Sequence, residues 1–352
     1  MFAVLILLCT LIAWAAEKTG HVVFVWIVIL ALSFVAGLRD VTVGLDTANY
    51  ARNFDAIAYG YPQYAYGFEP SFRLICGILL KLCGSKTALF VLFSILTNAL
   101  ILLRFWDFRH MGSFPWMVAD YFFVFYFFGF NILRQMCAVA IVFWATRWLQ
   151  RRKYFTYLFF VLVAYFFHHS AILGVLAFGV EFVQWKALTR KQQKLILASI
   201  FLIPAVILYL PRVLNEYQDY LETPRFNIGF MVLAKLVLFA VSAVGLKRCV
   251  TEPLEGIEGF DLRETETSVA SVEIFYLVGL LFTALEYVFS FMNRAGLYFY
   301  LYECVYYGMI TGRARGHNKV IYRVGIGLIF AYSYLLLLFE KGQGVFPYAF
   351  VH

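Results

Sequence analysis

Apolar runs of about 17 to 25 residues, the length needed to cross a hydrocarbon core of roughly 30 Å, recur from the first residues of this sequence almost to the last. They fall near 2–16, 22–37, 70–84, 87–103, 114–130, 132–149, 154–168, 170–185, 195–211, 229–246, 271–291, 296–311 and 320–339. Such runs occupy most of the 352 residues and leave little for an extramembranous unit, so the expectation is a single integral membrane domain over 1–352. Only 14% of residues are charged against 63% hydrophobic, whereas soluble domains carry about 25% charged residues. A water-soluble fold is excluded. The run Phe2 to Ala16 has the length of a signal-peptide core, but no basic segment precedes it and a second long run follows at once, so it reads as the first span.

The net charge of +8 is carried by short loops between runs. Basic residues in such loops mark the cytoplasmic side, which makes nucleic acid a poor partner. Four basic loops, Arg147/Arg151/Arg152/Lys153, Lys186/Arg190/Lys191/Lys194, Lys247/Arg248 and Arg313/Arg315/Lys319, are each two runs apart and can all be cytoplasmic. The same parity puts Arg104 and Arg109 inside and 38–86 outside as a long outer loop. Segment 70–84 breaks this parity if it crosses. Arg73 and Lys81 interrupt it while Phe72, Ile75, Leu79 and Leu82 share a helix face, so it reads as an interfacial helix on the outer surface. The expectation is an all-α polytopic protein with about twelve transmembrane helices, both termini outside, and a cytoplasmic acidic loop over 247–270.

Six scattered cysteines show no metal-ligand spacing, and no metal site or cofactor is expected. The informative polar residues gather at the outer ends of the runs: Arg39, Asp46, Glu69, Asn131, Arg134, Gln135, His168, His169, Ser170, Arg294 and Tyr298. Arginines there oppose the topogenic bias, and their planar forks suit a phosphate or diphosphate. Snorkelling to headgroups is the plain alternative for any one of Arg39, Arg134 and Arg294. Asp46, after Gly44, reads either as a turn former or as a presented carboxylate. Glu69 before Pro70 reads as a first-turn acid, and His168 either as a helix-end cap or as a general base beside Ser170. Asp120, Glu181, Lys235, Glu273 and Glu303 fall inside runs and are costly there. They could line a transport path, with a structural salt bridge as the default for Lys235 and Glu303.

Five segments in order, GLRDVTVGLDTANYARNF, FEPSFRLICGILLKLCGS, NILRQMCAVAIVF, AYFFHHSAIL and MNRAGLYFYL, resemble the EpsG/Wzy-type polysaccharide (O-antigen) polymerases over roughly residues 35 to 300. The aromatic ending GVFPYAF is also similar. The R-x-x-x-V-G-x-D run of that family falls on Arg39, Val43, Gly44 and Asp46, and its E-P on Glu69 and Pro70. Its N-x-x-R-Q falls on Asn131, Arg134 and Gln135, its H-x-S-A on His168, Ser170 and Ala171, and its last arginine on Arg294, a turn before Tyr298. The resemblance implies a GT-C-like, metal-independent glycosyltransferase in the bacterial inner membrane, facing the periplasm or exterior. It would polymerise undecaprenyl-diphosphate-linked repeat units among membrane lipids, with a chain-length regulator as candidate partner. Arg39, Arg134 and Arg294 would then bind diphosphate, with Asn131, Gln135, Ser170 and Tyr298 as further substrate contacts. His168, Asp46 and Glu69 are the candidates for the catalytic base. Rival readings are O-antigen-ligase-like transfer, acyl transfer to exported glycans, and transport of a lipid-linked sugar.

Overall fold

The structure is a computed structural model, and it describes residues 1–61, 63, 67–182, 229–249, 262–286, 292–339 and 343–351. The run 195–211, the loop Lys186/Arg190/Lys191/Lys194 and residues 250–261 of the acidic segment lie outside the described residues, as do the side chains of Glu181, Lys247 and Arg248. In chain order the helices are α1 (Phe2–Thr19), α2 (Val22–Gly37), α3 (Thr47–Ala58), α4 (Pro70–Leu82), α5 (Lys86–Asp107), α6 (Phe114–Asp120), α7 (Phe128–Asn131), α8 (Leu133–Gln150) and α9 (Tyr154–Phe167). They continue with α10 (Val175–Phe182), α11 (Phe230–Cys249), α12 (Leu262–Leu285), α13 (Met292–Tyr300), α14 (Tyr302–Arg313) and α15 (Gly316–Phe339). Every regular element among the described residues is helical, which is the open-ended solution for a chain whose peptide groups must be satisfied away from water. The protein is an all-α membrane protein.

Three helical stretches are long and apolar enough to cross a membrane unaided: Phe2–Thr19, Lys86–His110 and Gly316–Phe339. Val22–Gly37, Tyr154–Phe167, Phe230–Ser242 and Val269–Leu285 are shorter apolar helices. Several expected spans are not single helices. Run 114–130 changes from α6 to a π-helical turn at Tyr121–Phe125 and restarts at α7, run 170–185 begins as a 3-10 turn at His169–Gly174, and run 296–311 is broken at Leu301. The described helices therefore do not establish about twelve spans, since these runs are broken and run 195–211 lies outside the described residues. The acidic segment is also shorter than the sequence implied, since α12 starts at Leu262 and carries residues 262–270. Helix α4 matches the expected amphipathic segment. It has 13 residues, about 20 Å at 1.5 Å per residue, and buries Phe72 and Cys76 while Leu74, Ile78 and Leu82 are exposed. Leu82, expected on the inner face, is the one position of the four that points outward.

The contacts sort the loops into two ends. At one, Glu17 accepts from the Phe114 N–H at 2.7 Å, Arg313 Nε donates to the Met111 carbonyl at 2.7 Å, and Arg147 pairs with Asp107 at 2.9 Å. This is the basic end. At the other, the N-terminal Phe2 ring packs edge-on against Phe127, Phe346 and Tyr348. There the C-terminal tail lies along the first loop: Asp40 N–H donates to Ala349 O at 2.9 Å, Val351 N–H to Leu38 O at 2.9 Å, and Gly44 N–H to Gly344 O at 2.7 Å. All the candidate site residues belong to this second end. Among the described residues, Phe2, the C-terminal tail and the candidate residues thus lie at one end, and the loops of Arg147 and Arg313 at the other.

The tightest helix crossing is between α14 and the start of α6. A Cβ on Gly308 would stand 2.5 Å from Met117 Cγ and one on Gly312 2.7 Å from the Ser113 N. Gly308 and Gly312 are one helical turn apart, the small-xxx-small spacing that lets backbones touch, and Ser113 N–H donates to Gly308 O at 2.8 Å across the contact. Replacing Gly312 with valine must push the helices apart. The expected cost is about 1–3 kcal/mol, read as a lower thermal unfolding midpoint in detergent, and an unchanged midpoint would contradict the crossing.

Candidate functional site

The first loop is shaped by Gly44, whose φ of +95° suits glycine and whose missing side chain leaves room for Thr47 Oγ1, 2.7 Å from where a Cβ would be. Asn131 at the end of α7 then fixes the loop from two sides. Its Oδ1 accepts the Leu45 N–H at 2.6 Å and its Nδ2 donates to the Gln343 carbonyl at 3.0 Å. Arg39 is sealed beneath the same loop, 2% exposed. Its Nε donates to Thr47 Oγ1 at 3.0 Å, one terminal nitrogen to Phe130 O at 3.3 Å and the other to Ala36 O. The guanidinium lies 4.6 Å from the Phe90 ring centroid and 4.9 Å from that of Phe130. Burial pulls it down to about 10, so it is still a cation at neutral pH. Every nitrogen of Arg39 is thus engaged by the protein, and the side chain holds the loop.

Arg134, in the first turn of α8, forms an ion pair with Glu69, the residue that precedes Pro70 and caps α4. Glu69 makes no side-chain capping bond to its own helix, so its carboxylate is turned to the arginine. Phe68 supplies a ring 4.2 Å from the Arg134 guanidinium, and the Tyr50 ring lies beside it, 5.7 Å from the Phe68 ring and 6.0 Å from the guanidinium. Asp46, half-buried at the start of α3, also makes no capping bond, and its charge acts on both Arg134 and Tyr50. Asp46 and Tyr50 are four residues apart and so share a face of α3.

Beside this cluster, α9 ends and the chain turns through His168 to Ser170. The Ser170 N–H donates to His168 Nδ1 at 3.3 Å, and the Ser170 hydroxyl is 2.7 Å from the same atom. Nδ1 therefore accepts, and the ring carries its proton on Nε2. Tyr298 of α13 meets the Ser170 hydroxyl at 2.9 Å, giving a directed chain in which Tyr298 donates to Ser170 and Ser170 to His168. Gln135 reaches Ser170 at 3.5 Å and donates to the Arg294 carbonyl at 2.9 Å, tying α8 to α13. Burial, followed by the positive charges of Arg134, His169 and Arg294, lowers His168 to about 4. A neutral imidazole with hydrogen on Nε2 presents a donor outward. Arg294 itself is exposed.

Five distant segments thus converge at one end of the bundle, bringing Asp46, Glu69, Arg134, Gln135, His168, Ser170, Arg294 and Tyr298 together. Asn131 and Arg39 are close by in a loop-holding role. The sequence reading overlooked Tyr50 and Phe68 as walls for Arg134, although the Asp46/Tyr50 spacing carried a signal. The grip of Gln343 on Asn131, 212 residues away, had none.

The sequence model of the EpsG family matches residues 22–350. The chain belongs to the EpsG family. EpsG is a Wzy-type polymerase family, and the match takes in every residue of the converged site and the tail that clasps it. No curated protein and no solved structure matches the chain significantly.

The lowered His168 fixes a sign. Its neutral form is favoured by folding, so the stability it contributes is present above the unfolded value near 6.5 and is lost as pH falls towards about 4. Nitrogen-15 spectra of histidine-labelled protein should show His168 as the Nε2–H tautomer throughout pH 5 to 8. A titration with a midpoint above 6 would contradict the geometry.

Proposed function

We propose that this EpsG-family protein is a membrane glycosyltransferase that polymerises undecaprenyl-diphosphate-linked repeat units, with its site end on the outer face of the bacterial inner membrane. One observation carries the reading: arginines from two separate helices, Arg134 of α8 and Arg294 of α13, act on one imidazole at the end opposite the basic loops, which topogenic bias assigns to the cytoplasm. Two guanidiniums beside a neutral donor suit a lipid diphosphate at the membrane surface.

In this reading Arg294 meets the diphosphate first, and the diphosphate then competes with Glu69 for Arg134. Glu69, freed of its partner, takes the proton of the acceptor hydroxyl. The acceptor oxygen bonds to the anomeric carbon as the bond from that carbon to the diphosphate oxygen breaks, and the electron pair leaves on the diphosphate. The arginines and the His168 Nε2–H stabilise the charge that develops there. Asp46 holds Arg134 and Tyr50 by its field, and Arg39 and Asn131 keep the loop that carries it. Membrane lipids surround the bundle, and a chain-length regulator remains a partner for direct test.

The deciding assay incubates purified protein with the lipid-linked repeat unit of its host and resolves the products on a gel. Wild type should give a ladder of lengthening chains that Arg294→Ala and Arg134→Ala abolish while remaining folded. A substrate that stays one unit long overturns polymerisation in favour of acyl transfer or transport. Glu69→Gln should lower turnover by about 10²–10⁴-fold, the usual contribution of a positioned base. If Asp46→Asn has that effect and Glu69→Gln does not, the base is Asp46.

A further inference from the structure

A second polar group lies deep in the bundle, away from the site end. Asp120 closes α6 immediately before the π-helical turn Tyr121–Phe125, and such turns often mark functional positions. The residue is 0% exposed. Among the described residues neither of its carboxylate oxygens has a nitrogen or oxygen hydrogen-bond partner. Facing it are Glu303 and the Cys304 thiol from α14 and Lys235 from α11, with the hydroxyls of Tyr276, Tyr300 and Tyr307 around them. The sequence default for Lys235 and Glu303 is met by the pair itself: the ammonium donates to Glu303 Oε1 at 2.6 Å and to the Tyr300 hydroxyl at 2.7 Å.

The charges do not close. Two carboxylates share one ammonium, and that ammonium is committed to Glu303. A buried carboxylate with no compensating partner is too costly to persist, so the group must take up one positive charge. A metal cation would need several converging oxygen ligands, and among the described residues no three His, Cys, Asp or Glu side chains gather to hold one. A proton needs only the carboxylate itself.

We propose that Asp120 is a proton-binding site sealed inside the membrane bundle, occupied by one proton at neutral pH, so that Asp120, Glu303 and Lys235 together are electroneutral. The neutral acid packs against the weakly polar Cys304 thiol, and Glu303 keeps its charge for Lys235. Nothing in this depends on the reaction at the site end.

Infrared spectroscopy of the full-length protein in detergent at pH 7 tests it. The wild type minus Asp120→Asn spectrum should contain one protonated carboxylic acid carbonyl band. Lys235→Met should double that band, because Glu303 loses its counter-ion and takes a proton as well. If Asp120→Asn is recovered unfolded, the isotope-shifted carbonyl of wild type labelled with carbon-13 aspartate carries the same decision. A difference spectrum with no acid carbonyl overturns the proposal, and so does a wild-type unfolding temperature that rises with sodium at constant ionic strength, which would make the occupant a metal cation.

Discussion

In hydrocarbon a peptide group has no water to turn to, and in this bundle long polar side chains donate to main-chain carbonyls at helix ends and across helix contacts. Arg39 donates to the carbonyls of Ala36 and Phe130. Tyr126 reaches Leu32 O at 2.7 Å, Tyr157 reaches Gly174 O at 2.6 Å, and Gln135 reaches Arg294 O at 2.9 Å. At the site end, where five segments converge, contacts of this kind join them, Gln135 to Arg294 O and Arg39 to Phe130 O among them. Chemistry and backbone satisfaction therefore draw on the same kinds of residue at the same depth.

That shared vocabulary explains what could be read from the chain. Helix positions were legible because apolar periodicity and loop charge are local signals: α2 occupies 22–37, as its run does, and α4 is a short amphipathic helix. Of the four basic loops, those of Arg147 and Arg313 lie together at the end away from the candidate residues. Interruptions were not legible, since a π turn in YFFVF or a break at Leu301 leaves an apolar run apolar. Residues 262–270, read as loop from their charge, are helical because α12 extends beyond its apolar part.

Within the site, the arginines show the limit most clearly. Arg39, Arg134 and Arg294 look alike in the sequence, each polar and each at the end of a run. Their surroundings divide them: Arg39 is enclosed by carbonyls and two rings, Arg134 is held by a carboxylate, and Arg294 is exposed. Only distances across the fold separate a guanidinium that props up a loop from one that can meet a ligand. Likewise His168 reads either as a helix-end cap or as a base beside Ser170, and in the fold its Nδ1 accepts from the Ser170 N–H and hydroxyl, which leaves Nε2 as the ring's donor.

The strap formed by residues 343–351 has an implication for biosynthesis. The loop bearing Asp46 is made early, yet Leu38 O, the Asp40 N–H, the Gly44 N–H and Asn131 Nδ2 bond to residues of this strap. These bonds link residues 38–44 to residues 344–351, so they form only after the strap has been made and brought to the same end of the bundle. The order of assembly and the shape of this end are in this way joined by a handful of main-chain hydrogen bonds.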